Sequence, residues 1–323
     1  MSYFIFGGSG FIGSHLVNLI LQRDPHATIF NLDIVENNHA GRTSFIYTDV
    51  RNDIELPQSV AVSADDVIFN FAAIHRTPGH DDFEYFETNI LGAQTVTAFA
   101  TEHGIRKVVF TSSIAPYAAS EEEKFEETLP TPNTPYGISK FVAERIHREW
   151  QVAGDGRELT ILRPGVVFGL GENGNFTRLY WGIRSHRFAF PGRKDTIKGC
   201  IYVKDLVGFM LFKLEHHEPS ATELFNCTYE PAYTIDHIVK IMKKQTGLKS
   251  WVPLIPTWVL MPAAYAARMV GSPMGICPER VRKLMTSTNI SGRKLAQSGY
   301  KFRFSFDEAI ADWFRDSGGH GMK

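Results

Sequence analysis

The sequence predicts an α/β fold with a doubly wound parallel sheet, followed by a smaller mixed α/β domain. Short apolar stretches alternate with helical stretches over the first part of the chain, which indicates strands joined by crossover helices. Some of these stretches, such as 67–69, are apolar at every position, as is typical of strands covered on both faces. After residue 165 glycine and proline interrupt the pattern, and this change predicts the second domain.

The individual elements follow from local patterning. Residues 3–6 form an apolar strand, and the helix after it places Ile12, Leu16 and Leu19 on one face. Residues 120–127 are acidic, and we expect a solvated loop there. Further strands are expected at 28–32, 44–47, 67–71, 107–111 and 159–162, helices at 83–103 and 136–152, and one more strand and helix within 201–214.

Composition excludes several classes of protein. The chain has 323 residues, 43% of them hydrophobic and 21% charged, with a net charge of -1, as is usual for a globular protein in water. No basic excess points to nucleic acid, and the start of the chain lacks the pattern of a signal peptide. Cys200, Cys227 and Cys277 are too few and too scattered for a disulfide framework or a zinc site. We expect reduced thiols, a cytoplasmic location and no metal.

Residues 251–270 are the most membrane-like part of the sequence. They contain Pro253, Pro256, Pro262 and Arg268, whereas a spanning helix needs about 20 apolar residues without repeated breakers. We therefore expect a buried helix or a lid rather than a spanning segment. Shallow contact with a membrane surface stays open as an alternative.

A glycine-rich turn lies between the first strand and the first helix. Gly7 permits the tight turn, Gly10 lets the backbone approach a pyrophosphate, and Gly13 lets the helix pack closely. The first helical residues, Phe11 and Ile12, offer free N–H groups to phosphates. The turn therefore predicts a dinucleotide-binding site.

Asp33 ends the second strand, 20 residues after Gly13. A carboxylate at this place binds the adenosine ribose hydroxyls and repels a 2′-phosphate, so the sequence favours NAD over NADP. His39 and Arg42 would still allow NADP if their loop folds back onto the ribose.

Tyr136 and Lys140 are four residues apart, on one face of a predicted helix. A free tyrosine has a pKa of about 10 and is a poor base at neutral pH. A nearby ammonium, together with the positive nicotinamide ring, would favour the phenolate. Tyr136 would then move a proton on a substrate hydroxyl while a hydride leaves the same carbon. Lys140 would also hold the nicotinamide ribose.

Ser113 follows the strand at 107–111 and would complete a catalytic set. The carboxyl end of such a strand faces the ligand crevice of a doubly wound sheet. We expect the Ser113 hydroxyl to bond the oxygen that Tyr136 protonates. Ser112 competes for the same role.

Taken together, these motifs resemble the extended short-chain dehydrogenase/reductases, specifically the nucleotide-sugar epimerase/dehydratase group. The resemblance covers nearly the whole chain. Besides the residues above, it is carried by TDVR at 48–51, FAA at 71–73, Asn89, LRP at 162–164 and YVKDL at 202–206.

The resemblance implies further contacts with NAD. Asp49 and Val50 would contact the adenine, and Asn89 would lie beneath the nicotinamide end. The other residues implied in cofactor binding are Phe71, Ala72, Ala73, His75, Ser112 and Pro164, with Tyr136 and Lys140.

The resemblance also implies a nucleotide-sugar substrate and a homodimer. Asn175 and Phe176 would hold the substrate diphosphate, and Ser113 and Tyr136 would contact the sugar. Lys198 stands where related epimerases have a diphosphate-binding arginine, although a lysine is a point charge rather than a bidentate fork. The dimer would form through the helices near 83–103 and 136–152.

The domain boundaries follow from the same pattern. We expect an NAD-binding Rossmann domain over 1–165, rejoined by 198–215, and a substrate-binding domain over 166–197 and 216–323.

One departure from the family narrows the reaction. Ile114 and Ala115 follow Ser113, where family dehydratases have Asp-Glu, and neither can act as an acid or base. The leading hypothesis is therefore an NAD-dependent epimerase that inverts C4 of a nucleotide-linked hexose. The alternatives are an NAD(P)H-dependent reductase of a nucleotide-linked 4-keto sugar, or a related hydroxy dehydrogenase. A non-catalytic dinucleotide sensor is disfavoured by the intact set of Ser113, Tyr136 and Lys140.

Overall fold

The computed structural model describes residues 1–37, 39, 41–75, 79–218, 222–269 and 278–323; Cys277 and Val270 lie outside them. The strands are β1 Ser2–Phe6, β2 Thr28–Asp33, β3 Ser44–Tyr47, β4 Val67–Asn70, β5 Lys107–Thr111, β6 Ser120–Lys124, β7 Glu158–Pro164, β8 Val166–Phe168, β9 Phe190–Pro191, β10 Ile197–Lys198, β11 Cys200–Tyr202, β12 Thr222–Cys227, β13 Tyr233–Thr234, β14 Leu254–Ile255 and β15 Thr288–Ile290. The helices are α1 Phe11–Arg23, α2 Asp82–Phe86, α3 Gly92–Glu102, α4 Pro135–Val152, α5 Asn175–Arg184, α6 Val203–Glu215, α7 Ile235–Thr246, α8 Thr257–Met269, α9 Pro278–Met285, α10 Arg293–Gln297 and α11 Phe306–Asp316.

A parallel sheet of seven strands, in the order β12-β7-β5-β4-β1-β2-β3, forms the first unit of the chain. The direction of strand order reverses at β1, where such sheets bind ligands. Phe6 lies opposite Leu32 on one side and Asn70 on the other, so β1, β2 and β4 end side by side. This register brings the segments that follow these strands to one edge of the sheet, and the predicted α/β class is confirmed.

The first unit comprises 1–118, 126–164 and 203–227. Its core contains the fully buried residues Phe4, Phe6 and Ile68 of the central strands. Phe99 of α3 packs edge-on against Phe6, with ring centroids 5.6 Å apart. The continuous apolar strands are therefore covered by helices, as their sequence predicts.

The second unit comprises 119–125, 165–202 and 228–323. It contains a four-stranded sheet in the order β13-β10-β15-β6 and two shorter strand pairs. Its core is aromatic, because the ring of Phe168 stacks on Phe176 at 4.7 Å and meets Phe306 at 5.5 Å and Trp313 at 6.1 Å. A smaller mixed α/β unit is thus present, as expected.

The sequence assigned two segments differently from the structure. Residues 120–127 were expected to be a loop, but Ser120–Lys124 is a strand whose exposed carboxylates find partners, such as Glu121 with the Ser287 N–H and Arg193. Residues 222–227 were assigned to the substrate domain, but they pair with β7 as the last strand of the large sheet. Backbone pairing across distant parts of the chain decides both cases.

The predicted helix at 83–103 is interrupted rather than continuous. A π-helical turn over Glu87–Leu91 separates α2 from α3. Such turns are frequent at functional sites. Within the described part of the chain, none of the helices has both the length and the apolar character needed to cross a bilayer.

Candidate active site

The glycine turn after β1 is built by close backbone contacts. Gly7 has a φ of +78°, and a Cβ on it would lie 2.9 Å from the backbone nitrogen of Ala72. A Cβ on Gly13 would lie 2.4 Å from the Gly7 carbonyl oxygen, so α1 packs directly on the turn. Gly10 stands at the N-cap of α1 and gives it no capping side chain. The first-turn N–H groups, at Phe11 and Ile12, therefore suit the pyrophosphate of a dinucleotide.

Asp33 binds the glycine turn from the end of β2. One carboxylate oxygen accepts the backbone N–H of Ser9 at 3.0 Å, and the other accepts that of Val35 at 3.2 Å. The Ser9 hydroxyl in turn donates to the Val35 carbonyl and accepts from Asn31. The carboxylate is therefore held at the edge of the sheet, where a ribose diol would bind.

The segment after β3 is partly engaged in internal contacts. Asp49 forms an ion pair with Arg51 at 2.6 Å, and the hydrogen bond from Arg51 lowers the pKa of this carboxyl. Val50 is buried, and a Cβ on Gly92 would lie 2.8 Å from its side chain. The side chain of Val50 thus packs on the start of α3.

Asn89 of the π-helical turn fixes the segment that follows β4. Its side-chain oxygen accepts the Ile74 N–H at 2.9 Å, while its nitrogen donates to the Ile74 carbonyl at 3.1 Å and to the Ser139 hydroxyl at 2.9 Å. One buried amide therefore ties this segment to α4. The predicted cofactor-lining residues of the segment are partly exposed at Phe71, Ala72 and Ala73 and exposed at His75.

Ser113 and Tyr136 meet at the carboxyl end of β5. The Ser113 hydroxyl is hydrogen-bonded to the Tyr136 phenol and accepts the Ala115 N–H at 3.1 Å. Helix α4 begins beside this turn, with the Thr134 hydroxyl accepting the Gly137 N–H at its N-cap. A Cβ on Gly137 would lie 2.7 Å from the Ala115 carbonyl oxygen. Glycine at 137 is therefore what lets the helix approach closely enough to join the two hydroxyls.

The pKa of Tyr136 is raised, not lowered, by the protein. Burial is the main cause, and the hydrogen bond from Ser113 acts in the opposite direction. The sequence predicted that the Lys140 ammonium would favour the phenolate. The groups that shift the pKa of Tyr136 do not include Lys140, whose Nζ donates to the Thr111 carbonyl at 2.7 Å.

Lys140 of α4 is buried against the end of β5. Its Nζ lies 4.3 Å from the centre of the Phe110 ring. Burial lowers the pKa of Lys140 to about 7, against the opposing effect of the Glu144 carboxylate. A lysine of this kind changes charge near neutral pH.

A buried charge network supports the serine turn, and sequence reasoning missed it. Arg163 binds Glu144 through two hydrogen bonds of 2.8 and 2.6 Å, and both side chains are buried. The Ser112 hydroxyl donates to the same carboxylate at 2.5 Å, so Ser112 anchors the turn while Ser113 faces Tyr136. Arg163 also donates to the Tyr117 hydroxyl, which donates to Asn226. The available signal was an arginine inside an apolar strand.

Pro164 and His147 also contact the segments around Ser113 and β5. The Pro164 carbonyl accepts the Ile114 N–H at 3.2 Å, which fixes the residue after Ser113 to the end of β7. His147 of α4 stacks on Phe110 at 4.0 Å, and burial lowers the pKa of its imidazole to about 4. His147 is thus neutral packing rather than an acid.

The predicted substrate residues lie in the second unit. Asn175 is exposed at the first position of α5, whereas Phe176 is buried against Phe168. The Lys198 Nζ donates to the carbonyls of Thr286 at 2.8 Å and Leu284 at 3.4 Å. Lys198 therefore fastens β10 to the end of α9.

Comparison with known proteins gives the class of protein. The model of the NAD dependent epimerase/dehydratase family matches residues 3–228. The chain belongs to this family, which confirms the resemblance inferred from the motifs.

Individual relatives extend over most of the chain. It is 27% identical over 311 residues to the N-acetyl-alpha-D-glucosaminyl-diphospho-ditrans,octacis-undecaprenol 4-epimerase of Escherichia coli O157:H7, covering 95% of this chain and 92% of that one. It is 31% identical over 300 residues to a UDP-glucose 4-epimerase of Lacticaseibacillus casei, covering 84% and 86%. A UDP-glucuronic acid 4-epimerase of Bacillus cereus in complex with NAD has a similar fold, with a TM-score of 0.75, 19% identity and coverage of 98% and 99%.

Proposed function

We propose that this protein is an NAD-dependent epimerase that inverts C4 of a hexose linked to a nucleoside diphosphate. The observation that carries the proposal is the hydrogen-bonded pair of Ser113 and Tyr136, at the same sheet edge as the glycine turn and Asp33. The 31% identity to a UDP-glucose 4-epimerase supports it.

The proposed proton path uses residues of this chain. Ser113 binds the C4 hydroxyl oxygen, and the Tyr136 Oη takes its proton and later returns it. Because burial raises the pKa of Tyr136, the phenolate needs nearby positive charge, and Lys140 is one turn away on the same helix. NAD, which the glycine turn and Asp33 would hold, would supply reversible hydride transfer at C4 of the sugar. Ile114 and Ala115 provide no second acid for dehydration.

The first experiment compares the wild-type protein with Tyr136→Phe. We expect bound NAD in both, conversion of a UDP- or GDP-hexose to its C4 epimer by the wild type, and a kcat lower by about 10²- to 10⁴-fold in the variant. Tyr300→Phe, in the second unit, is the matched control and should keep full activity. Purified protein without NAD, and without an epimer from any such hexose, would contradict the proposal. Stoichiometric consumption of NAD(P)H would select the reductase alternative.

A second candidate substrate is a hexose carried on a polyprenyl diphosphate. It is favoured by the E. coli relative, which covers more of this chain than the UDP-glucose 4-epimerases do. The same catalytic groups would act, because the sugar carbon is the same. Competing the two donors at equal concentration, with the C4 epimers resolved by chromatography, separates the candidates.

We further propose a homodimer and a cytoplasmic location. Apolar side chains are exposed on the two helical stretches that would form the dimer, at Phe83 and Leu91 on one and Ile138 and Val152 on the other. Sedimentation velocity of the wild type and Val152→Asp tests the dimer. The location is supported by Cys200 and Cys227, two buried free thiols.

A further inference from the structure

An apolar face of the second unit is exposed, and nothing in the proposed reaction uses it. Trp251 and Trp258 are 77% and 78% exposed, and Leu254 and Tyr265 are 43% and 48% exposed. Of the ten residues at 257–266, seven are exposed, and none is charged. We call the residues 251–265 the tryptophan face.

The tryptophan face is fastened to the unit by its backbone. β14 pairs with β9, and the N–H groups of Phe190 and Gly192 donate to Pro253 and Ile255 at 2.8 and 2.9 Å. The backbone is therefore held in place while the indole rings remain outside. Exposing two indole rings to water is unfavourable, and burial of these rings against a partner would recover that free energy.

The surrounding sequence is strongly basic. Residues 237–306 contain 12 lysines and arginines against one acidic residue, Glu279, whereas the whole chain has 34 against 35. Two of these cations flank the tryptophan face in the structure. Lys249 is exposed two residues before Trp251, and the Arg282 guanidinium lies 3.3 Å from the Tyr265 hydroxyl.

We propose that the tryptophan face docks on the surface of an anionic lipid bilayer. Tryptophan and tyrosine favour the headgroup region, where the ring is apolar and its edge is polar. Lysine and arginine near the ring are attracted to anionic headgroups. A helix of 13 residues such as α8 is too short to span, so the protein lies on the surface. Lys249 and Arg282 beside the face favour an anionic bilayer over a second copy of this chain, which would bring the same two cations.

The proposal does not depend on the C4 epimerase activity. It would serve the polyprenyl-linked candidate, because that donor is held in a membrane. Vesicle binding and turnover of a water-soluble donor are measured separately, so a failure of the membrane proposal and a failure of the epimerase proposal give different results.

The experiment measures co-sedimentation of the full-length protein with vesicles. One set contains phosphatidylglycerol and phosphatidylcholine, and the other contains phosphatidylcholine alone. We expect binding to the anionic set, weakened by salt, and a blue shift of tryptophan fluorescence. Binding should fall by about tenfold or more in the double variant Trp251→Ser with Trp258→Ser, and by several-fold in Lys249→Glu. Leu129→Ser, which alters an equally exposed side chain of the first unit, is the matched control and should bind as the wild type does.

Two measurements keep the result interpretable. All variants should retain the wild-type thermal unfolding temperature and turnover of the UDP-hexose, which shows that they are folded. Equal binding to both vesicle sets, or wild-type binding by the double variant, overturns the proposal. The proposal is also overturned if the wild type does not bind vesicles and the double variant changes from dimer to monomer. A second copy of the chain would then cover the tryptophan face.

Discussion

The two units of the chain differ in where their charged side chains lie. In the first unit, Lys140, Glu144 and Arg163 are buried and bonded to neighbouring groups behind the Ser113–Tyr136 pair. In the second unit, most of the basic residues at 237–306 lie at or near the surface, and Lys198 is bonded to backbone carbonyls. Buried charge fixes geometry at a cost in solvation, whereas surface charge attracts ligands with little effect on folding. Changes in the first unit should therefore alter stability and turnover, and changes in the second should alter binding.

The largest effect is expected from Arg163→Met. The variant leaves the Glu144 carboxylate buried without its cation, so we expect the free energy of unfolding to fall by about 3 to 5 kcal/mol. Urea unfolding measures it. Arg106→Met, which breaks an exposed pair with Asp65, should change stability little. Adding Glu144→Gln to Arg163→Met should recover part of the lost stability, because the buried carboxylate is then neutral. If Arg163→Met and Arg106→Met have the same stability, the buried pair does not support the turn.

The next effect is a pH dependence that Lys140→Met should remove. The pKa of Lys140 is about 7 in the folded protein, and that of an unfolded lysine is about 10.4. Between these values the unfolded chain binds more protons, so stability rises with pH, by up to about 1.4 kcal/mol per pH unit. The burial penalty of the ammonium is complete below pH 7 and is relieved as the pH rises.

Urea unfolding at pH 7, 8 and 9 checks this prediction. The advantage of Lys140→Met over the wild type should be largest at pH 7 and should shrink toward pH 9. Lys244→Met, which removes an exposed lysine, should follow the wild-type slope. Parallel curves for Lys140→Met and the wild type would show that the ammonium is not desolvated.

The smallest effect is expected from Lys198→Met in the second unit. If Lys198 binds the substrate diphosphate, its loss should raise KM for a UDP-hexose by about tenfold and leave kcat nearly unchanged. Steady-state kinetics measure both, with Lys194→Met, another lysine of this unit, as the control. A lower unfolding temperature with an unchanged KM would mean that Lys198 serves only to fasten β10 to the carbonyls of Leu284 and Thr286.

The sequence predicted the parts of the fold and the site that depend on local spacing. The turn at Gly7 and the pairing of Tyr136 with Lys140 are short-range patterns, and the strand ends that position Asp33 and Ser113 follow from alternation of strands and helices. The structure has a hydrogen bond between Ser113 and Tyr136, but it bonds the Lys140 ammonium to the Thr111 carbonyl rather than to Tyr136.

What could not be predicted depends on contacts between distant residues. Arg163 meets Glu144 only because β7 lies beside α4, and no spacing encodes that meeting. The acidic strand β6 exists because β15 offers it a backbone partner. The direction of the pKa shift of Tyr136 is a sum over everything around the ring, in which burial exceeds the opposing hydrogen bond from Ser113.

The position of Gly137 against the Ala115 carbonyl limits which sequences can carry the catalytic pair. A Cβ at position 137 would lie only 2.7 Å from that carbonyl oxygen, so any other residue there would force α4 away from the turn. The hydrogen bond between Ser113 and Tyr136 joins the same two segments and would lengthen or break as they separate. An alanine at 137 should therefore cost turnover although every catalytic group is still present.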